Sequence, residues 1–155
     1  MIEARYVHTN IVARDWRRLA AFYQAVFGCT PLPPGRDLSG PEFDRATGIA
    51  GVHIRGVHLR LPGTDPDGPT LEVFEYDPPG PESEKAIHRP GLAHLAFAVG
   101  DVDAAVEAVL AAGGGAYGPA VSVPVAGAGV VRFAYLTDPE GNVIEVQSWL
   151  SAGGL

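Results

Sequence analysis

The feature that most constrains this chain is that it is written twice. The segment from Val7 to Asp15, VHTNIVARD, realigns on the segment from Ala93 to Asp101, AHLAFAVGD, at a shift of 86 positions. The same shift carries Gly28 onto Gly114 at the end of the helical stretch that follows. Each copy has a histidine early, His8 or His94, and a glutamate late in an alternating apolar run, Glu72 in TLEVF or Glu145 in VIEVQ. An internal repeat makes each copy a supersecondary unit and restricts the fold to paired units. Two imidazoles and two carboxylates in matching places form a candidate metal site.

The periodicity predicts strand-helix-strand-strand-strand, repeated. Residues 4–13 alternate as a strand, with Tyr6, His8, Asn10 and Val12 on one face. Asp15 is placed to cap a helix in which Trp16, Leu19, Tyr23 and Val26 or Phe27 recur at helical spacing as core residues, and Gly28 ends it. A short strand is expected at 29–34. Residues 35–50, with glycines and a proline among charges, read as a long functional or surface loop. Residues 51–61 read as a strand that changes phase near Gly56, as at a bulge, and 70–76 as the next strand. Residues 78–90, rich in proline with a charged middle, read as a linker between modules 1–77 and 91–150 of a single domain, 1–155. The second module repeats the order: a strand at 92–99, a helix at 101–112 capped by Asp101, short strands around 116–124, then strands at 130–137 and 143–149. Residues 151–155 read as a frayed tail.

Composition narrows the class. Of 155 residues, 46% are hydrophobic, enough for a core. Eleven basic against 18 acidic side chains give a net charge of −7, which argues against nucleic acid or an anionic membrane as partner and leaves a small-molecule substrate. The first 30 residues lack a secretory pattern, so a soluble cytoplasmic protein is expected. The one cysteine, Cys29, excludes an internal disulfide and reads as a buried thiol.

Glu72 shares its face with Phe74 and Tyr76, and Glu145 with Val143 and Gln147, so neither fits the usual solvent-facing strand glutamate. Glu75 falls on the opposite face and is expected to be solvent-facing or salt-bridged. His53 and His58 lie an odd number of residues apart and face opposite ways, with structural or solvent roles expected and His58 the better placed for a cleft. His88 lies in the linker and is expected to be exposed. Mixed imidazole and carboxylate donors suit Zn, Ni, Co, Fe or Mn. Four such ligands make either a closed tetrahedral zinc site or an octahedron with two positions open to water or substrate. A chain with a sound core needs no structural metal, which favours catalysis.

These residues carry a resemblance. A strand-borne His8 before a helix ending FYQAVFG, the runs LEVFEY at 71–76 and GLAHLAFAV at 91–99, and DPEGNVIEV at 138–146 resemble the vicinal oxygen chelate superfamily. That superfamily includes glyoxalase I, methylmalonyl-CoA epimerase, extradiol dioxygenases and bleomycin-resistance proteins. The resemblance implies an α+β fold in which two paired βαβββ modules form a U-shaped mixed sheet around a metal-binding cleft. It implies His8, Glu72, His94 and Glu145 as ligands of a divalent metal ion. It further implies a lyase or isomerase in which a carboxylate moves the proton beside a metal-polarised carbonyl, with Glu145 as principal base and Glu72 as its partner. Relatives commonly dimerise, so a homodimer is expected. Extradiol dioxygenases typically use two His and one Glu in longer chains, and antibiotic-binding members typically lack the metal set. Epimerases often carry Gln in place of Glu72, which tilts the resemblance toward glyoxalases. No residues match a glutathione site and no basic cluster matches a CoA phosphate, so the substrate stays open.

Overall fold

The computed structural model describes residues 1–150; the reading of 151–155 as a frayed tail lies outside the described residues. The chain forms two compact units, Met1–Glu82 and Ser83–Leu155. Each is an α+β module built on its own mixed sheet.

In the first unit the order is β1 (His8–Val12), α1 (Trp16–Phe27), β2 (Thr30–Ser39), α2 (Pro41–Thr47), β3 (His53–Arg60) and β4 (Thr70–Asp77). The sheet order is β1-β4-β3-β2, with β1 parallel to β4 and the other pairs antiparallel. A parallel neighbour needs a long crossover, and the intervening helix and hairpins supply it. The Asp15 side chain accepts hydrogen bonds from the backbone N–H groups of Arg17 and Arg18, and Gly28 ends α1 in the left-handed region at φ 70. Helix α1 packs on β3 and β4. The buried Val57, Leu59, Leu71 and Val73 share the sheet face opposite Glu72 and His58, and with Leu19 and Tyr23 they form the core.

In the second unit the order is β5 (His94–Ala98), α3 (Val102–Ala111), β6 (Gly115–Ala116), β7 (Val121–Val125), β8 (Gly129–Thr137) and β9 (Val143–Leu150). The sheet order is β5-β9-β8-β6, with β7 also paired to β8. Again the first strand runs parallel to the last. Asp101 repeats the role of Asp15, its carboxylate accepting from the N–H groups of Asp103 and Ala104. The segment between the sheets is held to the second unit: Lys85 Nζ donates to the carbonyl of Glu140 and to Asn142 Oδ1, both at 2.8 Å.

Several expectations are corrected. Residues 35–50 are not a loop. Strand β2 resumes after an irregularity between Leu32 and Arg36 and runs to Ser39, and a short helix follows. Phe43 and Ile49 supply the reason, because they bury against Val52, Ile54 and Phe74 together with Leu38 and Tyr76. The Asp44 carboxylate pins the helix by accepting from the N–H groups of Gly51 and Val52 at 2.8 and 3.0 Å. The bulge expected at Gly56 is absent from β3, whose pairing with β4 is unbroken; the irregularity lies on β2 instead. Gly56 serves close approach, since a Cβ there would meet the carbonyl oxygen of Val73 at 2.2 Å and the Phe74 ring at 2.5 Å. Trp16, expected in the core, is half-buried at the first residue of α1. The Arg17 guanidinium lies 4.4 Å from its ring centroid. The first strand is also shorter than expected and begins at His8.

Candidate metal-binding residues and their surroundings

The register explains how the repeat places its histidine and glutamate. On the parallel pair β1–β4, His8 lies opposite Thr70 and Asn10 opposite Glu72. On β5–β9, His94 lies opposite Val143 and Ala96 opposite Glu145. In both sheets the glutamate is therefore one diagonal step from the histidine on the same face, which brings their side chains within reach. The donor atoms meet: His8 Nε2 is 3.2 Å from Glu72 Oε2, and His94 Nε2 is 3.1 Å from Glu145 Oε2. The carboxylates are the shielded partners, 11% and 15% exposed, against 40% and 28% for the imidazoles.

These separations fit a shared cation. Two donors each about 2.1 Å from one ion stand about 3.0 Å apart at a right angle and about 3.4 Å apart in a tetrahedron. His8 with Glu72, and His94 with Glu145, would each supply one imidazole nitrogen and one carboxylate oxygen to a divalent metal. The structure brings the four expected residues together as these two pairs. Among the described residues, no group of three or more His, Cys, Asp or Glu side chains is arranged to hold a metal ion.

The third strand of each sheet adds a residue that sequence reasoning undervalued. Glu72 lies opposite His58 on β3, and Glu145 lies opposite Tyr135 on β8. His58 Nε2 is 2.8 Å from Glu72 Oε1, and its Nδ1 is 3.0 Å from the Thr70 hydroxyl. Asn10 Nδ2 donates to Glu72 Oε2 at 3.2 Å. Burial pushes His58 below its usual range; the Glu72 charge, second in weight, pulls the other way, and the charges of Arg36 and His8 add smaller downward pushes. In the second unit Tyr135 packs edge-on to His94, with ring centroids 5.3 Å apart. Its phenol is pushed up by burial first and by the Glu145 charge second. A sequence signal for His58 existed. The turn between β3 and β4 sets Arg60 opposite Thr70, and two steps further puts His58 opposite Glu72.

The remaining candidates lie elsewhere. His53 pairs with Asp37 at 2.6 Å, Glu75 with Arg55 at 2.7 Å, and His88 is exposed. Cys29 is buried, and burial raises its thiol from 9.0 to about 11. The Glu145 strand starts from a rigid turn: the buried Asp138 accepts from the N–H groups of Glu140 and Asn142 and from Asn142 Nδ2. No helix among the described residues is long and apolar enough to cross a membrane.

Comparison with known proteins agrees with this architecture. Residues 5–146 match the model of the Glyoxalase/Bleomycin resistance protein/Dioxygenase superfamily, and the chain belongs to that superfamily. A glyoxalase family protein from Bacillus cereus superposes with a TM-score of 0.73 at 17% identity, covering 97% of this chain and 96% of its own. A glyoxylase/bleomycin resistance protein/dioxygenase domain from Frankia sp. EAN1pec gives 0.62 at 22% identity, covering 97% and 99%. TioX from Micromonospora sp. ML1 gives 0.54 at 21% identity, covering 95% and 100%. At these identities the likeness is one of fold. No curated protein sequence matches the chain.

Proposed function

We propose that this protein is a divalent-metal-dependent lyase or isomerase, glyoxalase-like or epimerase-like, acting on a small thioester or hemithioacetal. His8, Glu72, His94 and Glu145 would hold the ion, which when bound would supply a Lewis acid for the substrate carbonyl. The observation that carries the reading is the repeated register: two sheets of different sequence each hold a His Nε2 and a shielded Glu oxygen 3.1–3.2 Å apart.

Glu145 is the group that takes the proton from the carbon beside the carbonyl. Among the described residues its carboxylate has one polar partner, His94, whereas Glu72 is engaged by His8, Asn10 and His58. A base must be free to accept and return a proton, and the less engaged carboxylate suits that role. Arg60, two residues beyond His58 on the same face, is half-buried, and among the described residues its Nε is closed to solvent without a hydrogen-bond partner. A half-buried guanidinium there favours a substrate that carries an anionic group.

A second reading is a non-catalytic small-molecule binding protein. The aromatic row of the second sheet favours it: Phe133 and Tyr135 stack edge-on at 5.4 Å, and the exposed Trp149 shares their face. A homodimer is part of the proposal, supported by the exposed apolar side chains of strand β7, Val121, Val123 and Val125. Metal analysis of untagged protein, with a proton-exchange assay on hemithioacetals, α-hydroxyacyl thioesters and methylmalonyl-CoA, tests both readings. Bound divalent metal with solvent-proton exchange into one substrate class is expected. Absence of metal and of exchange, with an aromatic ligand bound, would establish the binding protein instead.

A further inference from the structure

We propose that His58 is a positioning residue: it fixes Oε1 of Glu72 through its Nε2–H, so that Oε2 is left for the ion beside His8. The inference rests on the reading that His8 and Glu72 bind a divalent metal. Oε1 has His58 Nε2 at 2.8 Å, while Oε2 has His8 Nε2 and Asn10 Nδ2, each at 3.2 Å. The two oxygens therefore face different partners, and the carboxylate is oriented before any ion arrives.

The position of the ring proton follows from the neighbours. An ionised carboxylate only accepts hydrogen bonds, so a neutral His58 must carry its proton on Nε2. Its Nδ1 then accepts from the Thr70 hydroxyl at 3.0 Å. The ring has little freedom to leave this pose. It stands edge-on to Phe74 and to His8, both at 5.8 Å between centroids, and its side chain is 16% exposed. Partners behind a ligand typically hold it in the productive orientation and raise metal affinity.

Among its described residues the second unit has no such device. Tyr135 stands where His58 stands, and Val143 stands where Thr70 supplies its hydroxyl. Among the described residues no side chain but His94 bonds Glu145. Glu72 is held by three side chains and Glu145 by His94, although the histidine–glutamate geometry is the same.

The test has two readouts. In metal-free protein labelled with nitrogen-15, long-range proton–nitrogen spectra report the ring tautomer of His58. The Nε2–H form is expected, and Glu72→Gln should perturb it. Zinc affinity, measured by competition with a chromophoric chelator, should fall about 10- to 100-fold in His58→Phe. Most of that loss should be recovered in His58→Gln, whose amide N–H can still donate to Oε1. Circular dichroism and melting temperature check that each variant is folded. Wild-type zinc affinity in folded His58→Phe would overturn the proposal. So would an Nδ1–H tautomer with His58→Gln as weak as His58→Phe, which would make His58 a ligand itself. Should the wild-type protein bind no zinc, the metal reading fails separately, and the tautomer with its dependence on Glu72 still decides whether His58 holds the carboxylate.

Discussion

The two sheets present the same pair of side chains in the same register and surround them differently. In the first, the stretch of the face around Glu72 is polar and basic, with Asn10, His58, Thr70, Arg60 and Arg36 sharing it, and the apolar Phe74 and Tyr76 lie further along β4. In the second, the face bearing Glu145 is largely apolar and aromatic, with Val143, Phe133, Tyr135 and Trp149 beside Gln147. The repeat has kept the histidine and the glutamate while everything around them has diverged. Metal binding needs the shared pair, whereas division of labour between two carboxylates needs unlike surroundings.

The largest effect that can break this comparison is on turnover. Glu145→Gln should lower kcat by about 100- to 10,000-fold, the usual contribution of a general base, while metal content falls far less. An amide oxygen can still face an ion but cannot take the substrate proton. Glu72→Gln should do the reverse, losing metal affinity first and keeping more turnover at saturating metal. Measuring kcat and bound metal for both variants gives the contrast directly. Near-normal turnover in Glu145→Gln would move the base to Glu72 and undo the division of roles.

A smaller effect concerns stability. Gly56 on β3 and Phe133 on β8 hold corresponding places in the two sheets, opposite Phe74 and Gln147. In the first sheet the aromatic ring comes from β4 and needs the glycine beneath it. A Cβ at Gly56 would lie 2.5 Å from the Phe74 ring and 2.2 Å from the backbone oxygen of Val73. Gly56→Ala should therefore destabilise by about 1–3 kcal/mol, the usual range for overpacking a close contact. Phe133→Ala in the second sheet relieves no clash, and its effect should come from the lost ring contact with Tyr135. Urea denaturation of the two variants compares them.

Much of the fold was legible because backbone signals are local. Asp15 and Asp101 stand before helices, Gly28 after one, and the alternation around Glu72 and Glu145 marks strands. The segment 35–50 was misread because its order comes from tertiary contacts. Phe43 and Ile49 find their core partners on β3 and β4, and Asp44 finds backbone donors at Gly51 and Val52. His58 was undervalued for a similar reason, since its value depends on which residue of β4 lies opposite. The asymmetry between the carboxylates was invisible in the repeat itself, which aligns histidine with histidine and says nothing of Asn10 against Ala96 or Thr70 against Val143.

The smallest expected effect is on Cys29, which has no part in either carboxylate's surroundings. Burial raises this thiol to about 11, outweighing the opposing hydrogen bond from its own backbone. At pH 8 the folded protein should react with a disulfide reagent far more slowly than the unfolded chain. The sign of the pH effect follows from the same shift. The unfolded thiol ionises near 9.0 and the folded one near 11, so its contribution to stability is complete below 9.0 and declines as pH rises through that window. A fast, complete reaction at pH 8 in native conditions would contradict this.

The most direct test of cooperation between the two histidine–glutamate pairs is the stoichiometry of divalent-metal binding, measured by equilibrium dialysis on wild type, His8→Ala and His94→Ala. One ion per chain is expected in the wild type. On the proposed reading each single substitution should weaken that binding strongly, because each removes one of the four proposed ligands. Two ions per chain, with each substitution abolishing one and leaving the other intact, would show that the sheets bind metal separately. No ion in the wild type would remove the metal altogether.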